Sequence, residues 1–181
     1  GQLRMASSSP CKDILQHVPE FFKVQLERMD NVEIKLNTPV TESNVGDLNA
    51  DYVLLATGAT PLVLPIPGIE KAKIAQDVLL HKAEVSGNVV ICGGGQVGVE
   101  TALELLERGH KVSIVEMLPD LILKEELMTR IVMMKKLADA EVPVYCRHKV
   151  SRFTDGAVEI EDMQTGEKKL LACGDAVIAF G

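Results

Sequence analysis

The feature that most constrains this chain is a glycine-rich turn between two short apolar runs. The turn carries glycines at G-x-G-x-x-G spacing, with one additional glycine inside it: Gly93, Gly94, Gly95 and Gly98. The apolar run 89–92 before the turn predicts a buried strand, and the pattern over 97–108 predicts a helix. Gly109 is placed to end that helix. The stretch therefore predicts a strand, a tight turn and a helix in immediate succession.

Each glycine of the spacing has a physical reason to lack a side chain. The first forms the tight turn, the second lets a pyrophosphate approach the backbone, and the third lets helix and strand pack closely. Gln96 and Val97 open the helix, where free N–H groups and the helix dipole favour phosphate. A purely structural glycine turn is the alternative interpretation. The ordered strand, helix and second strand favour dinucleotide binding instead.

The second apolar run, residues 112–115, ends on an acid that bears on which nucleotide binds. Glu116 follows Gly98 by 18 residues and can accept hydrogen bonds from a ribose 2′-OH. The same carboxylate would repel a 2′-phosphate, and the next residue is Met117, which cannot pair with one. The sequence therefore favours NAD(H) over NADP(H).

Charge and composition argue against several classes of partner. The formal net charge is −7, the pI is about 5.1, Trp is absent and aromatic residues make up 3% of the chain. Nucleic acid and anionic membrane surfaces are therefore not expected as partners. No apolar run approaches the length of a membrane span, and no signal-peptide pattern is present.

The four cysteines are far apart and form no C-x-x-C pair: Cys11, Cys92, Cys146 and Cys173. We therefore expect reduced thiols of a cytoplasmic protein, without a metal site, a redox disulfide or an iron–sulfur cluster in this chain. The four histidines show no pairing with a candidate nucleophile, so no catalytic acid, base or nucleophile is predicted here.

The rest of the pattern predicts further elements around the glycine turn. Residues 1–11 are rich in serine and small side chains and predict a loop. Helices are predicted over 19–29, 77–83 and 125–138, the last with Leu127, Ile131, Met134 and Leu137 on one face. Strands are predicted over 31–37, 51–56 and 176–179, with an edge strand over 142–146 that contains Pro143. Turn signals divide 149–153, 157–161 and 168–172 into an antiparallel β-meander.

The order of these motifs resembles a known superfamily. DYVLLATGATP, the proline-rich connector with PIPG, and GGGQVGVE together resemble the flavoproteins with two dinucleotide-binding domains. More narrowly, GQLRMAS, VEIKLNTPV, DVLLHK and VSIVEM resemble the C-terminal half of NADH:flavin oxidoreductases related to Old Yellow Enzyme. These are the 2-enoate and 2,4-dienoyl-CoA reductases. The resemblance covers nearly the whole chain.

The resemblance implies an α/β fold with a Rossmann-like parallel sheet, an antiparallel β-meander and part of a second, FAD-type α/β domain. It divides the chain into a partial FAD-binding domain (1–60), a connector (61–70) and an NAD(H)-binding domain (71–181). The family's upstream glycine motif is missing, as is its barrel with FMN and iron–sulfur cysteines. Gly174-Asp175 precedes a strand and is not expected to be the family's late flavin-contacting Gly-Asp motif. The chain therefore resembles a middle piece of such a protein, inactive alone.

The resemblance also suggests roles for residues that the glycine spacing does not identify. Thr57 and Gly58, at the A-T-G strand end, would lie near the flavin and the nucleotide, and Gly181 would flank the bound nucleotide. Glu100 resembles a glutamate that faces the interface of nicotinamide and flavin. A solvated acid in the first turn, favoured by the helix dipole, is the alternative for Glu100. A plain strand end followed by a glycine turn is the alternative for Thr57 and Gly58.

For the intact protein, the resemblance implies hydride transfer from NADH to FAD and then reduction of an activated C=C bond through FMN. The other interpretations are a piece of a pyridine nucleotide-disulfide reductase or NADH oxidase, or a non-enzymatic module that senses NAD(H). The expected partners are a dinucleotide and the missing FAD half and barrel. Apolar edges left exposed would favour association, including a homo-oligomer.

Overall fold

The computed structural model describes residues 1–9 and 12–181. Its α-helices are α1 (Gln2–Ala6), α2 (His17–Glu27), α3 (Ala75–Leu79), α4 (Gln96–Glu107) and α5 (Leu127–Asp139). Its strands are β1 (Lys73–Ile74), β2 (Asn88–Cys92), β3 (Lys111–Glu116), β4 (Val144–Cys146), β5 (His148–Thr154), β6 (Ala157–Asp162), β7 (Lys168–Ala172) and β8 (Asp175–Ile178). Short 3₁₀ helices cover Asp13–Gln16, Val45–Leu48 and Ile69–Lys71.

Five of the strands form one parallel sheet in the order β1-β8-β2-β3-β4. Strand β2 lies at its centre and pairs with β3 on one side, Ile91 opposite Ile114, and with β8 on the other, Ile91 opposite Val177. Both faces of β2 are covered, so its residues from Val89 to Cys92 are all apolar and buried. The chain leaves β2 toward β3, and β8 returns on the opposite side. The sheet order therefore switches at the carboxyl end of β2.

Two apolar clusters cover the faces of this sheet. On one face, α3, α4 and α5 pack on side chains such as Val89, Ile91 and Ile114. On the other face, the antiparallel sheet β5-β6-β7 packs through Phe153, Val158 and Ile160 on alternate residues of the parallel sheet. The α/β class, the parallel Rossmann-like sheet and the separate three-stranded meander are thus confirmed. Strand β4 lies at the sheet edge, as Pro143 predicts.

The predicted strands over 31–37 and 51–56 are wrong. Both segments are irregular, and in the second the side chains of Tyr52, Leu54 and Leu55 are 94%, 91% and 84% exposed. A strand exists only where a neighbouring strand satisfies its backbone hydrogen bonds, and neither segment pairs with any described strand. Apolar pattern alone therefore did not produce a sheet here.

Other predictions need smaller corrections. Residues 2–6 form the helix α1 rather than a loop, while Cys11 lies outside the described residues. In α5 the buried side chains are Met133 and Leu137, whereas Leu127 and Ile131 are 64% and 51% exposed. The buried stripe of α5 therefore runs through Met133 and not through the predicted Leu127 and Ile131. The short strand β1 was not predicted, since two residues carry no detectable period.

The Gly174-Asp175 pair has a structural role. The Asp175 carboxylate accepts hydrogen bonds from Lys73 Nζ and from the backbone N–H of Ser86, each at 2.7 Å. A side chain at Gly174 would overlap the backbone of Ser86. The pair thus fixes the loop before β2 at the bottom of the sheet. Among the described residues, no helix is both long and apolar enough to cross a bilayer.

Candidate nucleotide-binding cleft

The glycine turn joins β2 to α4 at the switch point of the sheet. Gly93 has a φ of +114°, which side-chain-bearing residues rarely adopt, and a Cβ there would overlap the carbonyl oxygen of Ala179. The Gly93 N–H donates to the carbonyl of Val115 at 2.9 Å. The turn is therefore held between β3 and the end of β8, and only glycine fits its first position.

The other two glycines of the spacing differ in the space around them: Gly98 is closely packed and Gly95 faces open space. A Cβ on Gly98 would overlap the carbonyl oxygen of Gly93, so this position permits the close contact of helix and turn. A Cβ on Gly95 would have no atom within 4 Å, and Gly95 is exposed. The open space lies directly at the start of α4, where the first-turn N–H groups have no acceptor inside the helix. This arrangement leaves room for an anion beside those donors.

Glu116 ends β3 with its carboxylate beside the turn. Oε2 accepts a hydrogen bond from the backbone N–H of Gly94 at 2.6 Å, and Oε1 accepts one from that of Leu118 at 2.8 Å. An ionised carboxylate has about four acceptor positions, so these two bonds orient it without using all of its capacity. A side chain on Gly94 would press on both Glu116 and Leu121. The additional glycine therefore makes room for the acid.

These groups border one cleft of about 560 Å³ at the carboxyl ends of the parallel strands. Of the residues predicted as a site, eight line the cleft: Gly93, Gly94, Gly95, Gln96, Val97, Glu116, Met117 and Gly181. Gly98 supports the turn behind them. In open α/β sheets, ligands bind at this edge and at such a switch point. A second cleft of about 540 Å³ lies at the opposite ends of β2 and β3 and lacks the glycine turn.

Two predicted residues lie elsewhere. Thr57 and Gly58 are exposed in the irregular segment and do not line the cleft. The same stretch reaches the cleft only further along, where the Leu62 N–H donates to the Gly181 carbonyl at 2.7 Å and Leu64 joins the lining. The connector, and not the A-T-G strand end, therefore borders the cleft in this chain.

Glu100 is neither solvated nor part of the cleft lining. It is 6% exposed, and Oε2 accepts a hydrogen bond from Ser9 Oγ at 2.6 Å. Oε1 accepts from Lys12 Nζ and, at 3.1 Å, from Gln96 Nε2. The alternative of a solvated first-turn acid is therefore wrong, and Glu100 contacts the N-terminal part of the chain.

Several lining residues were not predicted from the sequence. His148, at the start of β5, lines the cleft with its Nδ1 2.7 Å from the carbonyl oxygen of Cys146. Lys124 and Asp120 come from the loop after β3. Asp120 forms an ion pair with Arg130 of α5. These residues reach the cleft through the packing of loop and meander on the sheet. An Asp and a Lys soon after Glu116 were the only signal available.

Burial raises the pKa of each of the three thiols that the structure describes, Cys92, Cys146 and Cys173. Burial, together with the nearby Cys173, raises the pKa of the Cys92 thiol. Burial also raises the pKa of Cys146, and the negative charges of Asp120 and Glu116 add to the effect. A thiolate is the nucleophilic form of cysteine, so such thiols are poor nucleophiles. Within the described residues, no group of three or more metal-ligating acids, histidines and cysteines is close enough together to hold a metal ion.

Comparison with known proteins identifies a family whose match includes the residues of the cleft. The family model described as "Pyridine nucleotide-disulphide oxidoreductase" matches residues 11–181. Among solved structures, a 2-naphthoyl-CoA reductase aligns with a TM-score of 0.85 at 22% identity, over 100% of this chain and 27% of that one. Histamine dehydrogenase from Rhizobium sp. 4-9 aligns with a TM-score of 0.81 at 18% identity, over 100% and 30%. At these identities the likeness shows the shared fold.

Two curated relatives are similar in sequence. Cinnamate reductase of Clostridium sporogenes is 35% identical over 158 residues, which is 83% of this chain and 23% of that protein. NADH oxidase of Thermoanaerobacter brockii is 39% identical over 187 aligned positions, which span 100% of this chain and 28% of that protein. This chain therefore spans about a quarter of the length of these relatives. The resemblance to flavoproteins related to Old Yellow Enzyme is confirmed.

Proposed function

This chain belongs to the pyridine nucleotide-disulphide oxidoreductase family, and on that premise we propose that its cleft binds NADH. One observation carries the proposal. The glycine turn, the first turn of α4 and the Glu116 carboxylate meet at a single cleft at the switch point of a parallel sheet. The division into a partial FAD domain, a connector and an NAD(H) domain is part of the same proposal.

The residues of the cleft fit such a ligand. The first-turn N–H groups beside Gly95 would hold the pyrophosphate, because open space above that glycine lets a ligand reach the backbone. Glu116, already oriented by two backbone donors, would accept hydrogen bonds from the adenosine ribose. The carboxylate disfavours a 2′-phosphate. Lys124 also lines the cleft. Its positive charge would attract a 2′-phosphate, so its position favours the alternative, NADPH.

The nucleotide itself would supply a hydride. This chain's contribution is to bind and orient the nucleotide, while the cofactors carry the chemistry. For the intact protein we propose hydride transfer to FAD and onward reduction of an activated C=C bond. The similarity to a cinnamate reductase supports this substrate class. FMN, an iron–sulfur cluster and a cytoplasmic location are proposed on the family resemblance.

The curated relatives also suggest a second candidate activity for the intact protein. An NADH oxidase is among them, so an oxidase in which NADH delivers its electrons to another acceptor is the second candidate. Thr57 and Gly58 lie outside the cleft, and none of the described residues of 1–60 lines it. The step to FAD is accordingly proposed for the intact protein alone. Spectra of that protein would separate a flavoenzyme from an NAD(H)-sensing module.

The first test is calorimetric titration of this chain with NADH and with NADPH. We expect NADH to bind more tightly than NADPH. The variant Glu116→Gln removes the negative charge while keeping an acceptor oxygen, so its preference for NADH should fall by about tenfold. Glu116→Ala should in addition weaken NADH binding, because both the ribose acceptor and the support of the turn are lost.

A matched control is Glu107→Gln, an exposed acid near the end of α4 and remote from the cleft. It should leave both affinities unchanged. Equal binding of NADH and NADPH by the wild type, or a preference that survives Glu116→Gln, would refute the role assigned to Glu116. Absence of binding to well-folded protein would refute the site itself.

A further inference from the structure

The first third of the chain has little buried contact with the rest. Among the described residues up to position 65, Ser9 is the only buried one, at 3% exposure. Helix α2 buries none of its residues, and Phe21 and Phe22 on it are 58% and 56% exposed. The N-terminal segment is hydrogen-bonded to the sheet domain at Ser9 and Lys12.

The contact at Ser9 is a polar cluster of four residues, here called the Glu100 cluster: Ser9, Lys12, Gln96 and Glu100. Glu100 is its buried centre, and its two oxygens take donors from both parts of the chain. Ser9 and Lys12 come from the N-terminal segment, and Gln96 comes from the first turn of α4. A buried carboxylate without hydrogen-bond donors raises the free energy of the folded state. Loss of Ser9, Lys12 or Gln96 as a donor would therefore destabilise the contact between the two parts of the chain.

The backbone ties the N-terminal segment to this cluster. The Ser9 N–H donates to the Ala6 carbonyl at 3.3 Å, and the Lys12 N–H donates to the Ser9 carbonyl at 3.1 Å. The Leu15 N–H in turn donates to the Lys12 carbonyl at 2.9 Å. Fixing Ser9 and Lys12 therefore also orients the end of α1 and the start of the turn that leads into α2.

On the other side, the cluster reaches the cleft. Gln96 lines the cleft and donates to Glu100 from one helical turn away on α4. Its position at the helix start places it among the groups proposed to hold the pyrophosphate. The chain of contacts runs from the cleft through Gln96 and Glu100 to Ser9 and Lys12, over adjacent side chains without a gap.

We propose that Glu100 is a positioning residue that couples nucleotide binding to the seating of the N-terminal segment. It acts through Gln96 on the cleft and through Ser9 and Lys12 on the segment. The coupling rests on the proposed function, because it requires that a nucleotide bind at Gln96. Coupling of this kind is reciprocal. If the seated segment raises the affinity for the nucleotide by some factor, the bound nucleotide must raise the equilibrium constant for seating the segment by the same factor.

The test combines hydrogen exchange with calorimetry on the whole chain. In the wild type, NADH should slow amide exchange in residues 2–9 by about five- to tenfold. In Glu100→Gln, exchange there should be faster without nucleotide, and NADH should no longer slow it. Lys12→Met changes a residue outside the cleft, yet it should weaken NADH binding by a similar factor. In the double variant the two losses should not add, because both remove the same link.

The matched control is Glu104→Gln, one turn further along α4. Its carboxylate pairs with Arg108, the residue that follows the helix, at 2.8 Å, and forms no hydrogen bond or ion pair with the described residues of the N-terminal segment. This variant should leave the exchange of residues 2–9 and the affinity for NADH unchanged. A loss of affinity equal to that of Glu100→Gln would mean that any charge change on α4 has this effect, and would overturn the proposal.

The remaining outcomes are also decisive. Faster exchange in Glu100→Gln with unchanged NADH affinity in Lys12→Met would show a merely structural contact and overturn the coupling. If the wild type binds no NADH, the proposed function fails and the coupling with it. Exchange measured without nucleotide would then still show whether Glu100 seats the N-terminal segment, so the two failures are distinguishable.

Discussion

Two apolar segments of this chain, 89–92 and 52–55, are alike in sequence and opposite in structure. In the first, the side chains of Val89, Val90, Ile91 and Cys92 are 0–2% exposed at the centre of a parallel sheet. In the second, the side chains of Tyr52, Val53, Leu54 and Leu55 are 50–94% exposed in irregular backbone. Both were predicted to be strands. Composition therefore does not explain the difference between them.

The difference is the presence of neighbours. Strand β2 has β3 and β8 to accept and donate its backbone hydrogen bonds, and helices and the meander cover its two faces. Residues 52–55 pair with no described strand. The comparison teaches that an apolar run indicates a buried strand only when the same chain also supplies strands on either side of it.

The largest expected effect comes from equivalent truncations in the two segments. Ile91→Ala removes a fully buried side chain and should lower the free energy of unfolding by about 2–5 kcal/mol. Leu54→Ala removes an exposed one and should change it by no more than about 0.5 kcal/mol. Urea denaturation followed by circular dichroism measures both. Similar losses in the two variants would show that residues 52–55 are buried in solution.

A smaller effect separates two glycines of the turn. In Gly98→Ala the new methyl group meets the Gly93 carbonyl, so the free energy of unfolding should fall by about 1–3 kcal/mol. In Gly95→Ala the methyl group points into open space, so stability should be kept while NADH binding weakens. Thermal unfolding and calorimetric titration distinguish the two. Equal stability of both variants would contradict the close packing at Gly98.

The smallest effect concerns the loop that leads into β2. Burial alone would raise the pKa of Asp175, but hydrogen bonds from Lys73 and Ser86 outweigh it and hold that pKa below its ordinary value. A lowered folded-state pKa stabilises the fold above the unfolded-state pKa, and this contribution is lost as pH falls through the folded value. Asp175→Asn should therefore cost about 1 kcal/mol at pH 6, a difference that shrinks as the pH falls below about 4, the ordinary pKa of an aspartate.

The measurement is the free energy of unfolding of the wild type and of Asp175→Asn, from denaturation at pH 6 and at a series of lower pH values. Asp155→Asn is the control, because Asp155 forms its ion pair with Lys71 at the surface, where its side chain is 93% exposed. Exposed ion pairs contribute little to stability. A difference between wild type and Asp175→Asn that stays the same at every acidic pH would contradict the lowered pKa.

Much of the sheet domain was predictable from local signals. The glycine spacing, the helix period after it and the acid at the end of β3 each depend on near neighbours in sequence. The meander was equally clear, because its turns at Asp155-Gly156 and Thr165-Gly166 fix where its strands end. The buried face of α5 was less clear, since both Met133 and Met134 are apolar and only packing against the sheet selects between them.

Short-range sterics and periodicity act within a few residues, so the sequence alone predicts the strand–turn–helix unit, the glycines of its turn and the acid beside it. Tertiary structure alone decided that Glu100 is buried against Ser9 and Lys12, that Lys124 and His148 border the cleft, and that residues 52–55 form no strand. Each of those outcomes depends on which distant segment lies alongside, and no local pattern carries that information.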